Sequence, residues 1–182
     1  SYLAVNVSSL NKPGLRALQD KGTLAALLDS VLAARGGNPV PVFLKVAPDL
    51  EPEDIDDIAR IALDKQLAGL IVSNTTITRP PLHSRYADEA GGLSGAPLRD
   101  LAQARLRDFR KATGGELPLI GVGGIASAEH AWARIRAGAS LVQLYSAMVY
   151  EGPGIARQIV RGLEALMRRD GFGSIAEAVG SE

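Results

Sequence analysis

Two polar segments, each placed directly after an apolar run, carry the side chains best suited to chemistry. AVNVSSLN contributes Asn6 and Asn11, and VSNTT contributes Asn74. An asparagine amide offers a donor and an acceptor in one plane, so several of them match the C=O and N–H groups of a flat ring. We predict that these three asparagines converge on one pocket; the alternative is that they only form turns after the strands.

Ser8 and Ser9 raise the question of a nucleophile or a base. No G-x-S-x-G turn surrounds them and no histidine is near in sequence, so a Ser–His pair is not supported. A serine accepts a proton only where its pocket stabilises the alkoxide or where water relays the proton. The residues alone leave that role open.

Lys45 is the one charged residue in the apolar run VFLKV. Burial of an unpaired lysine is costly, so its ammonium group must meet an anion or take part in chemistry. A positive charge beside an electron-accepting cofactor is one such role. The alternative is an ammonium group that reaches solvent at a strand edge.

Two consecutive segments, LIGVGGI and ASLVQLYSAM, have the composition of a phosphate site. The pair Gly123 and Gly124 allows close approach of the backbone and turns its N–H groups toward an anion. A helix capped by Ser127 adds its positive end, and Tyr145 and Ser146 end the next apolar run. The alternative for the glycines is a tight turn between strand and helix.

The composition limits the class of protein. The chain has 182 residues, twenty basic and twenty acidic, so we predict one domain without a nucleic-acid surface. It has no cysteine and only two histidines, so no metal site is expected, and a reducing, cytoplasmic setting fits. No apolar run approaches the roughly 20 residues that span a bilayer.

Five short apolar runs predict strands, and helical patterns lie between them. The predicted strands are Leu3–Val7, Val42–Val46, Gly69–Ser73, Leu119–Val122 and Ser140–Tyr145. We predict Thr23 and Ser127 as helix N-caps, Pro52 in a first helical turn and Gly138 after a helix end. The polar connection 76–96 is long enough for a lid or a binding loop.

The alternation of strands and helices predicts an α/β fold with a parallel sheet. A doubly wound sheet and a (β/α)8 barrel both fit. The glycine-rich segments lack the dinucleotide fingerprint, and polar residues follow every strand, which favours a barrel. A barrel has eight strands, so this chain supplies about the last five of them.

Six motifs in order carry a resemblance to a known family: NVSSLN, LKVAPDL, LIVSNTT, GGLSGAPLRDL, PLIGVGGIASAEHA and IRAGASLVQLYSA. Over essentially all 182 residues the chain resembles the later part of class 2 dihydroorotate dehydrogenases. The resemblance implies a (β/α)8 barrel that holds FMN and oxidises dihydroorotate to orotate in pyrimidine synthesis. It also implies a quinone acceptor and peripheral association with the cytoplasmic side of the inner membrane.

The resemblance also implies roles for single residues. Ser9 matches the base that removes the C5 proton, where class 1 relatives have a cysteine. Substrate contacts fall on Asn6, Asn11, Asn74 and Thr75. Cofactor contacts fall on Asn6, Lys45, Ser73, Gly95, Gly124, Tyr145 and Ser146. The family usually has proline at Leu10 and threonine at Ser73, so the loop backbone is less constrained and the hydroxyl at 73 is kept.

The resemblance predicts that residues 1–182 are the C-terminal portion of one FMN-binding barrel domain. The opening barrel strands and the membrane-facing helices of the family are absent from this sequence. Two alternatives stay open. One is another flavin barrel acting on a pyrimidine, although such enzymes normally carry a cysteine acid. The other is a half-barrel that binds phosphate or flavin without catalysis.

Overall fold

The computed structural model describes residues 1–8 and 21–182, in which strands and helices alternate. The strands are β1 (Leu3–Asn6), β2 (Val42–Val46), β3 (Gly69–Val72), β4 (Leu119–Val122) and β5 (Ala139–Gln143). The helices are α1 (Lys21–Arg35), α2 (Pro52–Asp64), α3 (Arg99–Ala112), α4 (Ala128–Arg136), α5 (Ser146–Glu151), α6 (Gly154–Arg169) and α7 (Ile175–Ala178). The predicted α/β alternation is confirmed.

The order of the strands decides between the two architectures. All five strands are parallel, and each pairs with the next strand of the chain, in the order β1-β2-β3-β4-β5. A doubly wound sheet would reverse this order at a switch point. A strictly sequential order is that of a (β/α) barrel, so the sheet is an arc of such a barrel.

Side chains from the two outer strands of the arc meet across its concave face. Gln143, at the end of β5, donates a hydrogen bond of 2.9 Å from Nε2 to the hydroxyl of Tyr2, directly before β1. The Tyr2 ring also packs edge-to-face on Phe43 of β2, with 5.2 Å between the ring centroids. A flat sheet would hold the two outer strands roughly 19 Å apart. The contact therefore reflects the curvature of the sheet.

The convex face of the sheet forms the core with the helices. Leu44, Leu70 and Leu119 are Cα partners in neighbouring strands, and all three are buried. The helical residues of the same cluster include Leu24, Leu28, Ile58, Leu106 and Phe109. Strand β2 alternates, with Val42, Leu44 and Val46 buried and the residues between them half-buried. This alternation turns Lys45 toward the concave face.

Several predicted helix boundaries are confirmed and one is wrong. Pro52 begins α2, the Ser127 hydroxyl caps α4 by accepting from the His130 N–H, and Gly138 follows α4 with a φ of +119°. Thr23 does not cap α1, because the helix already begins at Lys21. A threonine acts as a cap only where the chain before it is not helical.

Three strands are shifted or shorter than predicted. Val7 and Ser73 lie just outside β1 and β3. Strand β5 begins at Ala139, which pairs with Leu119, and ends at Gln143 rather than at Tyr145. The partner strand β4 ends at Val122, so residues after Gln143 have no neighbouring strand to pair with.

Candidate functional site

A cavity of about 520 Å³ opens at the carboxyl ends of β2 to β5. Its volume is in the range of small-molecule and cofactor sites, about 300–1,000 Å³. Eight residues predicted from the sequence line it together: Lys45, Ser73, Asn74, Thr75, Gly95, Gly124, Tyr145 and Ser146. Four different strands and the connection 76–96 contribute to this set, so the fold brings together residues that are far apart in sequence.

The remaining predicted residues lie beside the cavity or outside the described part of the chain. Asn6 does not line the cavity; it contacts the lining through Ser8. Ser9 and Asn11 fall on residues 9–20, outside the described residues, so their predicted roles stay predictions.

A polar cluster joins the ends of β1 and β3. The buried Ser8 hydroxyl donates a hydrogen bond of 2.6 Å to Asn6 Oδ1 and accepts one of 2.8 Å from Asn74 Nδ2. The same Asn74 amide donates to the Ser8 carbonyl at 3.2 Å. The cluster therefore fixes the Asn74 side chain at the edge of the cavity through two bonds to one residue.

Lys45 lies between Asn6 of β1 and Ile71 of β3, which are its Cα partners, and its side chain borders the cavity. Burial lowers the pKa of its ammonium group from 10.5. Within residues 1–8 and 21–182, no acceptor or carboxylate pairs with it. A partly desolvated and unpaired cation favours a ligand that is negatively charged or rich in acceptors.

The glycine pair after β4 forms one wall of the cavity. Gly123 and Gly124 have φ values of +113° and +71°, a region that side-chain-bearing residues rarely adopt. A Cβ atom on Gly124 would lie 2.6 Å from the Arg99 Cα, so the loop packs directly on the start of α3. In the part of the chain that the structure describes, the Gly124 N–H has no acceptor. The loop therefore leaves a donor available at the cavity wall.

Sequence reasoning missed several lining residues. The Ser94 hydroxyl is 2.9 Å from the Ser146 hydroxyl, and both face the cavity. Apolar side chains of Leu98, Ile125 and Leu144 complete the walls. Ser94 lies in an irregular segment with no periodicity to mark it, and its only signal is its position next to Gly95.

The long connection predicted as a lid or binding loop is fixed at its base. Thr76 and Leu93 exchange two backbone hydrogen bonds, and the Asp49 carboxylate accepts from the Thr76 hydroxyl and the Ile77 N–H. Arg79 donates to the carbonyls of Glu89 and Gly91 at 2.9 and 2.7 Å. These bonds hold the segment that carries Ser94 and Gly95 against the cavity.

The described residues, 1–8 and 21–182, hold neither a cluster of metal ligands nor a membrane-spanning helix. No group of three or more His, Cys, Asp or Glu side chains lies close enough together there to hold a metal ion. None of the helices in the same ranges has the length and apolar content needed to cross a bilayer.

Comparison with known families identifies the architecture. The family model of dihydroorotate dehydrogenase matches residues 1–167. The chain belongs to the dihydroorotate dehydrogenase family. The resemblance predicted from the six motifs is thereby confirmed, and the arc of five strands is part of the (β/α)8 barrel of this family.

Curated relatives and solved structures agree with this family assignment. The chain is 72% identical over 182 residues to dihydroorotate dehydrogenase (quinone) of Novosphingobium aromaticivorans, and 69% identical to the protein of the same name from Erythrobacter litoralis. Both alignments cover 100% of this chain, and they cover 52% and 53% of the relatives, so the chain spans about half their length.

Two crystal structures of dihydroorotate dehydrogenase (DHODH) from Eimeria tenella share the fold of this chain. The ligand-free structure has a TM-score of 0.93 at 38% identity and covers 99% of this chain and 55% of its own. The complex with ferulenol has a TM-score of 0.92 at 37% identity, covering 98% and 53%. The fold described above therefore matches that of the solved protein from Eimeria tenella.

Proposed function

We propose that this chain supplies the catalytic face of a flavoenzyme that oxidises dihydroorotate to orotate in pyrimidine biosynthesis, with a quinone as electron acceptor. The observation that carries the proposal is that eight of the predicted residues line one shared cavity. Membership of the dihydroorotate dehydrogenase family and the shared name of the bacterial relatives support it.

The residues around the cavity fit FMN as the cofactor. An unpaired ammonium group at Lys45, a free N–H at Gly124 and the hydroxyls of Ser94 and Ser146 suit a ligand that has both a polar ring and a phosphate. Lys45 and Ser73 would contact the ring. Gly95 would also contact FMN, whereas Gly124, Tyr145 and Ser146 would hold mainly its phosphate. When bound, FMN supplies the acceptor for a hydride.

Amide groups would orient the substrate. The proposed contacts to the pyrimidine edges and the carboxylate of the substrate are Asn6, Asn11, Asn74 and Thr75. Asn6 would also lie near the cofactor. The side-chain nitrogen of Asn74 donates to Ser8, so the side-chain carbonyl oxygen of Asn74 stays available to accept from a ring N–H. The fixed orientation of this amide supports a role in substrate recognition.

Ser9 is the proposed base. Its neighbour Ser8 is buried and donates its hydroxyl proton to Asn6 while it accepts from Asn74, so both bonding directions of that hydroxyl are used. Ser9 would take the proton from C5 of dihydroorotate while its own hydroxyl proton passes to water. The hydride leaves C6, and the C5=C6 double bond of orotate forms from the C5–H electron pair.

We further propose that residues 1–182 belong to one barrel domain that is completed by further strands. Side chains on the two outer strands, Leu3 of β1 and Leu141 of β5, are 44% and 61% exposed. Native proteins seldom leave such strand edges unpaired. The relatives are named as quinone-dependent enzymes, and quinones reside in membranes. This supports peripheral association with the cytoplasmic side of the inner membrane.

A substrate panel on the full-length protein tests the function. We expect oxidation of dihydroorotate with a quinone acceptor and no reduction of uracil or of tRNA uridines. Reduction of either pyrimidine without dihydroorotate oxidation would instead support another flavin barrel. Flavin binding without turnover of any substrate would support a non-catalytic binding protein. Either result would contradict the proposal.

A further inference from the structure

A buried arginine lies behind the loop of Gly123 and Gly124 that follows β4, here called the glycine loop. Arg134 of α4 is only 1% exposed, and its guanidinium group makes four hydrogen bonds. Nε donates to Gln103 Oε1 at 2.7 Å. The other donors bind main-chain carbonyls: that of Val122 at 3.2 Å, that of Gly123 at 2.9 Å and that of Arg99 at 3.3 Å.

All four acceptors of Arg134 are neutral. In residues 1–8 and 21–182 no carboxylate forms an ion pair with it. Burial first, and then the positive charges of Arg107 and Arg99, lower the pKa of its guanidinium to about 10. A buried charge without a counterion is costly. The fold thus keeps a desolvated cation one layer behind the cavity wall.

The backbone carbonyls of residues 122–124 all face either Arg134 or Arg99. Arg134 holds those of Val122 and Gly123, and Arg99 Nε donates to that of Gly124 at 3.0 Å. In a trans peptide the C=O and the following N–H point in opposite directions. Since the Gly123 carbonyl faces Arg134, the Gly124 N–H faces away from Arg134. This N–H has no acceptor in the described ranges, and Gly124 lines the cavity.

We propose that Arg134 is a positioning residue for anion binding: it holds the loop carbonyls away from the cavity, so that the Gly124 N–H is presented to a phosphate group. Its buried charge also favours an anion on the far side of the loop. This inference rests on the proposed function, in which that phosphate belongs to FMN. Arg134 itself does not line the cavity.

The test compares FMN with riboflavin, which lacks the phosphate, in titrations of the flavin-free full-length protein. In Arg134→Gln we expect the preference for FMN over riboflavin to fall about tenfold, because hydrogen bonds that orient the loop are lost. Riboflavin affinity should stay within about twofold, since the ring contacts are untouched. A purely structural defect would weaken both flavins equally and would overturn the inference.

Arg136→Gln is the matched control. It removes the same charge from the same helix, but Arg136 contacts Ser181 and Asp170 instead of the glycine loop. We expect the wild-type preference in this variant. A fall as large as that in Arg134→Gln would show that net charge alone acts, which contradicts positioning.

Gln103→Ala provides a second variant if Arg134→Gln does not fold. It removes the acceptor of Arg134 Nε and leaves the charge in place, so we expect a fall of about threefold in the preference for FMN. An unchanged preference would overturn the inference. If the wild type binds no flavin, the proposed function is contradicted as well. If the wild type prefers FMN and the variants keep that preference, only the role of Arg134 is contradicted.

Discussion

Asn74 Nδ2 donates a hydrogen bond of 2.8 Å to the hydroxyl of Ser8, which connects the end of β3 to the segment after β1. Strand β2 lies between them in the sheet, and 66 positions separate them in the chain. The contact forms because the sheet curves and the polar ends of its strands approach one another. One side of the cavity is thus held by side chains as well as by the strand ladder.

Asn74→Ala should reduce kcat/KM for dihydroorotate in the full-length protein about 10- to 100-fold. The substitution removes the amide that faces the cavity and leaves the buried Ser8 hydroxyl with one bond fewer, a loss of about 1–3 kcal/mol. Steady-state kinetics at saturating quinone measure it. Asn38→Ala is the control, because Asn38 is an exposed asparagine whose side chain accepts from the Val40 N–H. Equal kinetics in Asn74→Ala and the control would contradict the assigned role.

Lys45→Met should make the reduction potential of the bound flavin more negative by on the order of 30 mV, which is about 1.4 kcal/mol for a two-electron couple. The ammonium group favours the negatively charged reduced state, and methionine keeps the volume without the charge. Equilibration with reference dyes measures the potential. The control is Lys65→Met, since Lys65 pairs with Asp29 on the helical side. A potential equal to that of the wild type would exclude an electrostatic role of Lys45.

Gly124→Ala should lower the free energy of unfolding by about 1–3 kcal/mol and weaken FMN binding. The new methyl group would meet the Arg99 backbone at 2.6 Å, at a φ of +71°. Urea denaturation and flavin titration measure the two effects. Gly37→Ala serves as control, because nothing lies within 4 Å of a Cβ at Gly37. A fully stable Gly124→Ala protein would show that the loop does not pack as described.

His130 should make the stability of the protein depend on pH. Burial first, and then the charge of Arg99, lower its pKa from 6.5 against the opposing charge of Glu129, while Nδ1 accepts from the Ala126 N–H. Between the lowered pKa in the folded protein and about pH 6.5, the unfolded chain therefore binds more protons than the folded one, and the free energy of unfolding falls as the pH falls through this range. In His130→Asn, which does not titrate there, this part of the pH dependence should disappear. Urea denaturation at several pH values decides, and an identical slope in both proteins contradicts the prediction.

Much of the fold follows from local patterns in the sequence. Pro52, Ser127 and Gly138 mark helix ends through backbone requirements that act within a few residues. The cavity residues at strand ends were predictable because parallel strands place their carboxyl ends at one edge. Thr23 was wrong because residues before it are already helical, which a capping preference alone does not reveal.

Long-range contacts were less accessible to sequence reasoning. Arg134 lies in a helix where an arginine normally predicts a solvent-exposed face, and its burial depends on carbonyls of a different segment. Ser94 lies in an irregular connection whose path is fixed by Asp49, which lies outside the connection, and by Arg79 within it. Such positions become visible only when the packing of distant segments is known.

We propose that the cavity holds FMN against a substrate whose proton is removed by Ser9. The most direct measurement mixes the full-length protein with dihydroorotate under anaerobic conditions and records the loss of flavin absorbance over time. The wild type and Ser9→Ala are compared. We predict rapid bleaching in the wild type and a flavin-loaded Ser9→Ala protein whose bleaching is slower by at least about 10²-fold. Bleaching of Ser9→Ala at the wild-type rate, or a wild type that contains no flavin, would contradict the account.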